Sequence, residues 1–570
     1  MTTRRRKKII LLSISIVVGV FVFLGLLIQH ILGPFGSFFW NIPSLAGFFG
    51  TKEYLVLLQN NSELRPTGGF ITAVGDLKMF LGVPSVTFMD SYEVPDPKPK
   101  LPAPEPFNYF IGNRDPFFAG WTLRDSNFSP DTEQSAKAVI ERYEAAFPDK
   151  KIDGVFFLDF NVIEELLGRY GPITLEGTTF DREHFFLQSQ RLSKDVDTHK
   201  VDDLKGRKNI FKPLADQLKS RLLTSVFDYR SLMDLLAGLA KEKHIQAYFA
   251  DRNLQQKAET LLLSTSLSLP NPTTDLLAVN VANIGGRKAD RYVRKSINYR
   301  VDLTNPEKKQ AQLTFELEHL GTYNLQSDIY QAYVRVYTPP GTVLMSSSGS
   351  RLRNTKEEND LGLKVFSDMV RLSPGESVRL QYVYSLPQSI SSQDYTLKII
   401  KQPGMDDAHF SLAILMPNDT SLNNAKIGGT ELLRVRENVG FFDGTLDHDL
   451  LFHVQRKADH EAPLVVWQEF SSLSQINVRF QEDLDKGEAE NVNNFSLVDQ
   501  NQTHPERDDT VKVTKARFSG RDLWLSVEGV TEQQEEHYLL TMRDLKDLSG
   551  NVINPNPLSR TLVQRLNPKL

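Results

Sequence analysis

The sequence contains no cysteine, and this absence excludes several kinds of stabilising and catalytic chemistry. Disulfides, thiolate zinc sites, cysteine nucleophiles and a lipid-bearing cysteine anchor all need the missing thiol. A chain of 570 residues is long enough for three or four domains. We therefore expect hydrophobic cores to supply the stability that disulfides give to many extracytoplasmic proteins.

An excess of charge of one sign is also missing. The formal net charge is -5 over 570 residues, which is too small to indicate a nucleic-acid-binding protein. The motifs G-x-G-x-x-G, G-x-x-x-x-G-K-[ST], H-E-x-x-H and G-x-S-x-G do not occur. Nucleotide hydrolysis, zinc proteolysis and α/β-hydrolase chemistry therefore have no motif support.

A long apolar run near the N-terminus is the clearest feature that the sequence does have. Residues 1–8 form a basic tail, and the twenty residues Ile9–Ile28 carry no charge. At about 1.5 Å per residue, a helix of this length crosses a hydrocarbon core of about 30 Å. A cleaved signal peptide, the alternative, usually has a shorter apolar region and a small-x-small cleavage site. We predict a transmembrane helix over residues 9–32.

The basic tail predicts the orientation of the chain, since basic flanks stay in the cytoplasm. The protein is then a single-pass protein of the cell membrane with the bulk of the chain extracytoplasmic. Residues 33–53 form a juxtamembrane linker rich in glycine and aromatic residues. Its residues Phe38, Phe39 and Trp40 suit the lipid headgroup layer.

Three further domains follow in the pattern of apolar residues. Strand-like and helix-like segments alternate over residues 54–269, which predicts a layered α/β domain. Residues 275–455 alternate apolar and polar residues and predict a β-sandwich, and residues 460–565 predict an immunoglobulin-like β-sandwich. In the first of these we expect two strands joined at Gly285-Gly286, the second of which has Val293, Ile297, Tyr299 and Val301 on one face. The predicted fold class is therefore multidomain, with a transmembrane helix, an α/β layered domain and two β-sandwiches.

Four motifs resemble the bacterial family known as domain of unknown function 4012. They are YLVLLQNNSELRPTGGF, RDSNFSPD, NIGGRKADRYV and KQPG, which occur in the order of that family, and the similarity covers about Tyr54 to Met416. The resemblance implies a membrane-anchored envelope protein with no settled activity.

The segment KIDGVFFLDFNVIEELLGRYGPITLEG resembles LytR-CpsA-Psr proteins. This resemblance implies an α/β domain that moves a glycopolymer from a lipid pyrophosphate carrier to the cell wall. In that family arginines hold the phosphates and an aspartate is linked to a metal. Arg65, Arg207 and Arg191 correspond to its arginines, and Asp90 corresponds to an aspartate. The metal-linked aspartate is missing from the segment RPTGGF, and Met89 stands where the family has another arginine. The cofactor stays open, with Mg²⁺ as the candidate.

The C-terminal segments INVRFQEDLD and LKDLSGNVI resemble the immunoglobulin-like domain of surface-layer proteins. The partners implied by all three resemblances are the membrane, an anionic glycopolymer, a polyprenyl-phosphate carrier or a surface layer.

The residues themselves allow two interpretations of the segment around Arg65. An arginine beside Pro66 and a pair of glycines can hold an anion while exposed backbone N–H groups add donors. Alternatively, Gly68 and Gly69 permit a tight bend and Arg65 pairs with Glu63 or another nearby carboxylate.

The motif RDSNFSPD allows two interpretations as well. Arg124 and Asp125 precede a helix that we expect to begin with Ser129 as its N-cap, and a helix N-terminus attracts anions. The alternative is a capped helix with a buried Arg-Asp pair.

Two functions follow from these patterns. In the first, Arg65, Arg124 and Arg207 hold phosphate, with Asp90 or Asp125 as the metal-binding or basic carboxylate of a glycopolymer phosphotransferase. In the second, the protein is a non-catalytic surface-binding or structural component of the envelope.

Overall fold

The computed structural model describes most of the chain after residue 32. The predicted cytoplasmic tail (1–8), the predicted transmembrane segment (9–32) and Arg207 lie outside the described residues. The described residues are 33–96, 102–112, 120–193, 211–224, 229–269, 271–285, 287–324, 326–405, 408–417, 426–429, 433–436, 438–455, 461–500, 511–530 and 536–564.

The N-terminal region, residues 33–269, contains a mixed five-stranded sheet in the order β3-β2-β1-β4-β7. A nine-residue loop (61–69) joins β1 to β2 and a two-residue turn joins β2 to β3, so that these strands form an antiparallel meander; in this sheet only β1 and β4 are parallel. A separate short hairpin consists of β5 and β6. The strands are β1 (Lys52–Asn60), β2 (Phe70–Phe80), β3 (Val83–Asp90), β4 (Gly154–Asp159), β5 (Ile173–Leu175), β6 (Thr178–Phe180) and β7 (Ile245–Phe249).

Helices pack against this sheet through apolar side chains. Val139 and Tyr143 of the first long helix share a hydrophobic cluster with Leu57 of β1 and Phe157 of β4. The longer α-helices are α1 (Thr132–Ala146), α2 (Phe160–Tyr170), α3 (Phe185–Ser193), α4 (Phe211–Thr224), α5 (Tyr229–Lys241) and α6 (Arg252–Thr260), and shorter ones span Ile42–Leu45, Glu105–Phe107 and Lys486–Ala489.

The central region, residues 274–455, consists of two seven-stranded sheets, which we call sheet I and sheet II. Sheet I has the order β13-β14-β11-β8-β16-β21-β18, and sheet II has the order β12-β15-β10-β9-β17-β20-β19. The strands are β8 (Thr274–Asn283), β9 (Val293–Asp302), β10 (Gln310–His319), β11 (Tyr330–Thr338), β12 (Val343–Ser348), β13 (Lys356–Asp360), β14 (Leu363–Leu372), β15 (Ser377–Ser385), β16 (Asp394–Ile400), β17 (His409–Leu415), β18 (Lys426–Gly429), β19 (Arg434–Arg436), β20 (Val439–Thr445) and β21 (Leu450–Gln455).

The two central sheets enclose one hydrophobic core. Val334 and Leu397 of sheet I lie in the same cluster as Leu313 and Phe410 of sheet II. In β9 the buried and exposed positions alternate, because successive side chains of a strand point to opposite faces. The segment between β8 and β9 crosses from one sheet to the other, so the sequence NIGGRKADRYV does not form the hairpin that its glycine pair suggests.

The C-terminal region, residues 461–564, contains a four-stranded sheet in the order β22-β23-β26-β25 and a three-stranded sheet in the order β24-β27-β28. Ile476 and Leu525 of the first sheet and Leu540 of the second lie in one core. The strands are β22 (Val465–Ser472), β23 (Gln475–Phe480), β24 (Phe495–Asp499), β25 (Lys512–Ser519), β26 (Asp522–Glu528), β27 (Glu536–Met542) and β28 (Leu558–Gln564).

The predicted fold class is wrong. We expected a transmembrane helix, an α/β layered domain and two β-sandwiches, whereas the structure is a β-rich multidomain protein in which 43% of the described residues are strand and 21% are helix. The pattern over residues 54–269 indicated alternating strands and helices, but antiparallel neighbours need only short turns, and β1, β2 and β3 follow one another without a helix. Within the described ranges, no helix combines the length and the apolar character needed to cross a membrane.

A buried carboxyl group lies in the core of the central region. Asp275 of β8 accepts hydrogen bonds from the Tyr395 hydroxyl at 2.6 Å and from the Leu276 backbone N–H at 2.8 Å. Burial raises the pKa of Asp275 from 3.8 to about 6, although these hydrogen bonds oppose the rise. The folded chain therefore keeps a proton on Asp275 at pH values where the unfolded chain has lost it.

We predict that Asp275→Asn weakens the pH dependence of stability. In the parent chain, the raised pKa makes the free energy of unfolding fall as pH rises from 3.8 to about 6, by up to about 3 kcal/mol. Asparagine stays neutral at both pH values. The free energy of unfolding of the variant minus that of the parent should therefore be larger at pH 7 than at pH 4. Urea unfolding at both pH values measures this difference. Asp302→Asn, at the half-exposed end of β9, is the control, and an equal pH dependence in parent and Asp275→Asn would contradict the prediction.

Candidate functional site

Arg65 lies in the turn between β1 and β2, enclosed between the N-terminal and central regions. Only 2% of the residue is exposed. Its Nη2 donates a hydrogen bond to Asp125 Oδ1 at 2.9 Å, which completes an ion pair. Its Nη1 donates to the backbone carbonyl of Asn283 at the end of β8. The guanidinium therefore joins two parts of the chain, and its donors point to protein acceptors.

Backbone and side-chain hydrogen bonds surround this arginine. The Leu64 N–H donates to Asp290 Oδ2 at 2.9 Å, and the Asn283 N–H donates to the Leu64 carbonyl at 2.9 Å. Gln402 Nε2 donates to the Arg65 carbonyl at 3.1 Å. We call the set Leu64, Arg65, Asp125, Asn283, Asp290 and Gln402 the joint. The side chain of Leu64 lies in the core of the central region, so the joint is apolar on one side.

The negative charge of the second carboxylate of the joint, Asp290, also has partners. The Tyr330 hydroxyl donates to its Oδ1 at 2.8 Å, and Lys295 Nζ lies 3.2 Å from the same oxygen. Burial, together with the negative charge of Asp290, raises the pKa of Tyr330 well above its usual range. Tyr330 is therefore neutral and donates one of the hydrogen bonds that the buried carboxylate of Asp290 needs.

A close backbone contact adds to the joint. Gly404 has φ of +69°, and a Cβ atom there would lie 2.0 Å from the carbonyl oxygen of Gly68. The motif KQPG therefore contributes Gln402 as a donor and Gly404 as the residue that permits close approach.

Asn127, in the motif RDSNFSPD, fixes the same turn from the N-terminal side. Its Nδ2 lies within hydrogen-bonding distance of Gln59 Oε1, Thr67 Oγ1 and the Gly69 carbonyl, at 2.7, 2.9 and 2.8 Å. All four motifs quoted above thus meet at or beside the joint.

The structure brings four of the predicted site residues into one neighbourhood. The Arg124 guanidinium lies 4.5 Å from the centre of the Tyr92 ring, and the Phe70 ring lies between Tyr92 and Arg65, with centroid distances of 6.2 and 5.6 Å. Asp90, the last residue of β3, accepts a hydrogen bond from the Tyr92 N–H at 3.0 Å. Asp125 pairs with Arg65, as described above.

The side chains of two other predicted arginines are outside the part of the chain that the structure describes. Arg207 is outside the described residues, and Arg191 belongs to α3, where the side chain is not described. No group of three or more carboxylate or histidine side chains that could hold a metal ion is found in the described ranges. Hence neither a three-arginine phosphate site nor a Mg²⁺ ligand set is tested, and both stay predictions.

The helix start predicted at Ser129 is displaced by two residues. Asp131 is the N-cap of α1, and its carboxylate accepts a hydrogen bond from the Gln134 N–H at 3.0 Å. An acidic cap occupies the positive end of the helix dipole, which leaves less attraction for an external anion.

Sequence reasoning missed a polar cluster where β4 and β7 meet. His244 Nδ1 lies 2.8 Å from Asp159 Oδ2, and both side chains are buried. Beside them, Lys243 Nζ pairs with Asp449 of the central region at 2.6 Å and donates to the Lys401 carbonyl at 3.0 Å. Burial lowers the pKa of Lys243, although Asp449 opposes this. The available signal was the polar run at Glu242–His244 directly before the apolar strand β7.

A depression of about 380 Å³ lies on the outer face of sheet II. The small side chains of Ser411 and Ala413 lie on β17, with Arg300 and Phe441 opposite Ala413 on the neighbouring strands. Phe441 is 41% exposed. The remaining outward-facing side chains that line this depression are Asn298, Gln312, Thr314 and Asp443. An exposed aromatic ring among amides, hydroxyls and a guanidinium is suited to a polar ligand with apolar faces.

Comparison with protein families finds one match, to a protein of unknown function (DUF4012), over residues 50–190. This part contains the motifs YLVLLQNNSELRPTGGF and RDSNFSPD, so the predicted resemblance is supported there. The match is shorter than the predicted extent, which reached about Met416. No curated protein matches the sequence.

Solved structures give only distant similarities. The N-terminal part of the bacterial S-layer protein SbsC is 17% identical, with 18% of this chain and 24% of that chain covered and a TM-score of 0.16. An M1 zinc metallopeptidase from Deinococcus radiodurans is 12% identical, with 34% of this chain and 50% of that chain covered and a TM-score of 0.17. The alignments thus span about a quarter and half of those two chains.

We predict that Arg65→Met lowers the free energy of unfolding by about 3 kcal/mol, because Asp125 and the Asn283 carbonyl lose their buried donor. Urea unfolding measures the loss. Arg294→Met is the matched control, since Arg294 pairs with Glu318 on the surface and should contribute less than about 1 kcal/mol. Equal losses for the two variants would contradict the assignment of Arg65 to a buried joint.

A second prediction concerns Gly404. Gly404→Ala should lower the free energy of unfolding by more than the backbone strain of an alanine at positive φ, because the added Cβ would also overlap the Gly68 carbonyl. Gly362→Ala is the matched control, because Gly362 has φ of +76° and open space around its Cβ position. We expect a loss of about 1 kcal/mol for Gly362→Ala and a clearly larger loss for Gly404→Ala. Thermal unfolding of both variants compares them, and equal losses would show that the contact is unimportant.

Proposed function

We propose that this chain is a non-catalytic protein of a bacterial cell envelope, held at the membrane and facing outward, which binds an envelope glycopolymer. The observation that carries the non-catalytic part of the proposal is that Arg65 already binds Asp125 and the Asn283 carbonyl inside the joint. A phosphate ligand would have to displace both partners and enter a place that is almost closed to solvent. Since separating a buried ion pair is costly, structural use of Arg65 is favoured over phosphate binding.

The depression on sheet II is the surface that we assign to the polymer. Sugar rings present apolar C–H faces to aromatic rings and hydroxyls to polar side chains, and Phe441 lines the same depression as Arg300, Gln312 and Asp443. The Arg300 guanidinium has no hydrogen-bond or ion-pair partner in the described part of the chain, so it is available to a ligand. The localisation rests on the apolar run Ile9–Ile28 and its basic flank.

A second candidate function is the recognition of a phosphate-bearing polymer or lipid carrier at Arg124. Arg124 is 5% exposed, and its contact within the described residues is with the Tyr92 ring rather than with a carboxylate. A buried guanidinium that has no ion partner among the described residues favours an anionic ligand. Arg124→Gln would lower retention of phosphate-bearing polymer in this case, whereas Phe441→Ala would not.

The proposal predicts a specific result with isolated envelopes. The purified full chain should bind to them, and Phe441→Ala should weaken the apparent affinity by about tenfold, as expected for the loss of an aromatic contact of about 1.4 kcal/mol. Tyr323→Ala is the matched control, since Tyr323 is an exposed aromatic residue on the β10–β11 connection. Co-sedimentation at increasing envelope concentration measures the affinity.

The same preparation tests catalysis. Incubation with a lipid-pyrophosphate-linked glycan and Mg²⁺ should give no transfer to envelope. Transfer that Arg65→Ala abolishes, with the variant still folded by circular dichroism, would overturn the non-catalytic proposal. Equal binding by Phe441→Ala and the parent would overturn the assignment of the depression.

A further inference from the structure

Two loops of the N-terminal region form an exposed apolar projection. The turn between β2 and β3 presents Phe80, Leu81 and Val83, and the loop after the helix Ile42–Leu45 presents Phe48 and Phe49. Phe49 is 85% exposed and Val83 is 67% exposed. We call these five residues the apolar tip. Neither loop segment, AGFFG or MFLGVP, contains a charged residue.

The two loops are held together by backbone hydrogen bonds. The Leu81 N–H donates to the Gly47 carbonyl at 3.2 Å, and the Gly82 N–H donates to the Ala46 carbonyl at 2.8 Å. The Phe48 ring lies against Gly82. The apolar tip is therefore a defined surface built from two separate segments.

The turn residues are unusual for a hairpin in water. Leu81 and Gly82 both have positive φ, +49° and +82°, and Phe80 pairs with Val83 across the turn. Two-residue hairpin turns with this backbone strongly favour asparagine followed by glycine. A leucine at the first position adds backbone strain of about 1–2 kcal/mol and exposes an apolar side chain. Local folding does not explain this choice, whereas an apolar environment around the tip does.

We infer that the apolar tip inserts into the interfacial layer of a lipid bilayer and so sets the orientation of the N-terminal region on the membrane. This inference rests on the membrane localisation in the proposed function. Gly33 follows Ile28 by five residues, which reach at most about 18 Å, so the described chain begins close to the bilayer. Aromatic and aliphatic side chains without charge are the residues that settle in this layer. Phe38, expected there from the sequence, instead packs against Phe249 inside the protein.

A depth measurement tests the inference, and the absence of cysteine makes it simple. The full chain carrying Phe49→Cys or Leu81→Cys is labelled with an environment-sensitive nitrobenzoxadiazole dye. It is reconstituted in vesicles of phosphatidylethanolamine and phosphatidylglycerol that contain nitroxide-labelled lipid. We expect a blue-shifted emission and loss of most of the fluorescence at both positions. Tyr323→Cys, in the central region, is the control and should show neither change.

The outcomes separate the inference from the proposed function. Failure of the chain to float with vesicles would overturn the membrane localisation. Flotation without quenching at positions 49 and 81 would overturn only the insertion of the tip. A blue shift without quenching would show that protein, such as a second copy of the chain, covers the tip, and would also overturn the inference.

Leu81→Asn distinguishes a membrane role from a structural role. Asparagine suits the turn, so thermal stability should stay equal or rise. Quenching of the dye at position 49 should nevertheless decrease, because the tip loses an apolar side chain. A marked loss of stability, with quenching unchanged, would show that Leu81 serves folding and would overturn its assignment to the membrane.

Discussion

The burial of one guanidinium constrains the relation between the N-terminal and central regions. An arginine removed from water must have its charge and its N–H groups compensated, and Arg65 obtains this from Asp125 on one side and the Asn283 carbonyl on the other. The remaining hydrogen bonds of the joint complete the arrangement, since Asp290 and Gln402 bind the backbone of Leu64 and Arg65. The two regions are therefore held by directional polar contacts, which fix one geometry more strictly than apolar burial does.

The four motifs contain all six residues of this joint, but only Arg65 and Asp125 were predicted as site residues. Four motifs stood out, and the pairing of Arg65 with a nearby carboxylate was one of two open interpretations. The identity of that carboxylate, Asp125, depends on how the segment after β3 returns to the sheet, and no local pattern contains this information. Asn283 and Gln402 were overlooked because hydrogen bonds to backbone atoms leave no spacing or charge pattern in the sequence.

The fold was predictable where a short-range pattern determines it. The alternation in β9 gave the correct buried face. Sheet membership was not predictable, because it depends on contacts between distant segments. The glycine pair after β8 suggested a hairpin, whereas the chain crosses there from sheet I to sheet II. The succession of strands and helices before residue 270 likewise indicated an α/β layered domain, although most neighbouring strands are antiparallel and the chain as a whole is β-rich.

The separation of the joint residues along the chain has a consequence for biogenesis. Arg65 and Gln402 are 337 positions apart, so a chain emerging from its N-terminus presents the arginine long before this partner exists. The first sheet can then form with Asp125 beside the guanidinium, while Nη1 and the backbone carbonyl of Arg65 are still hydrated. Docking of the central region replaces that water with the Asn283 carbonyl and the Gln402 amide, so a chain interrupted before KQPG would lack the donor to the Arg65 carbonyl.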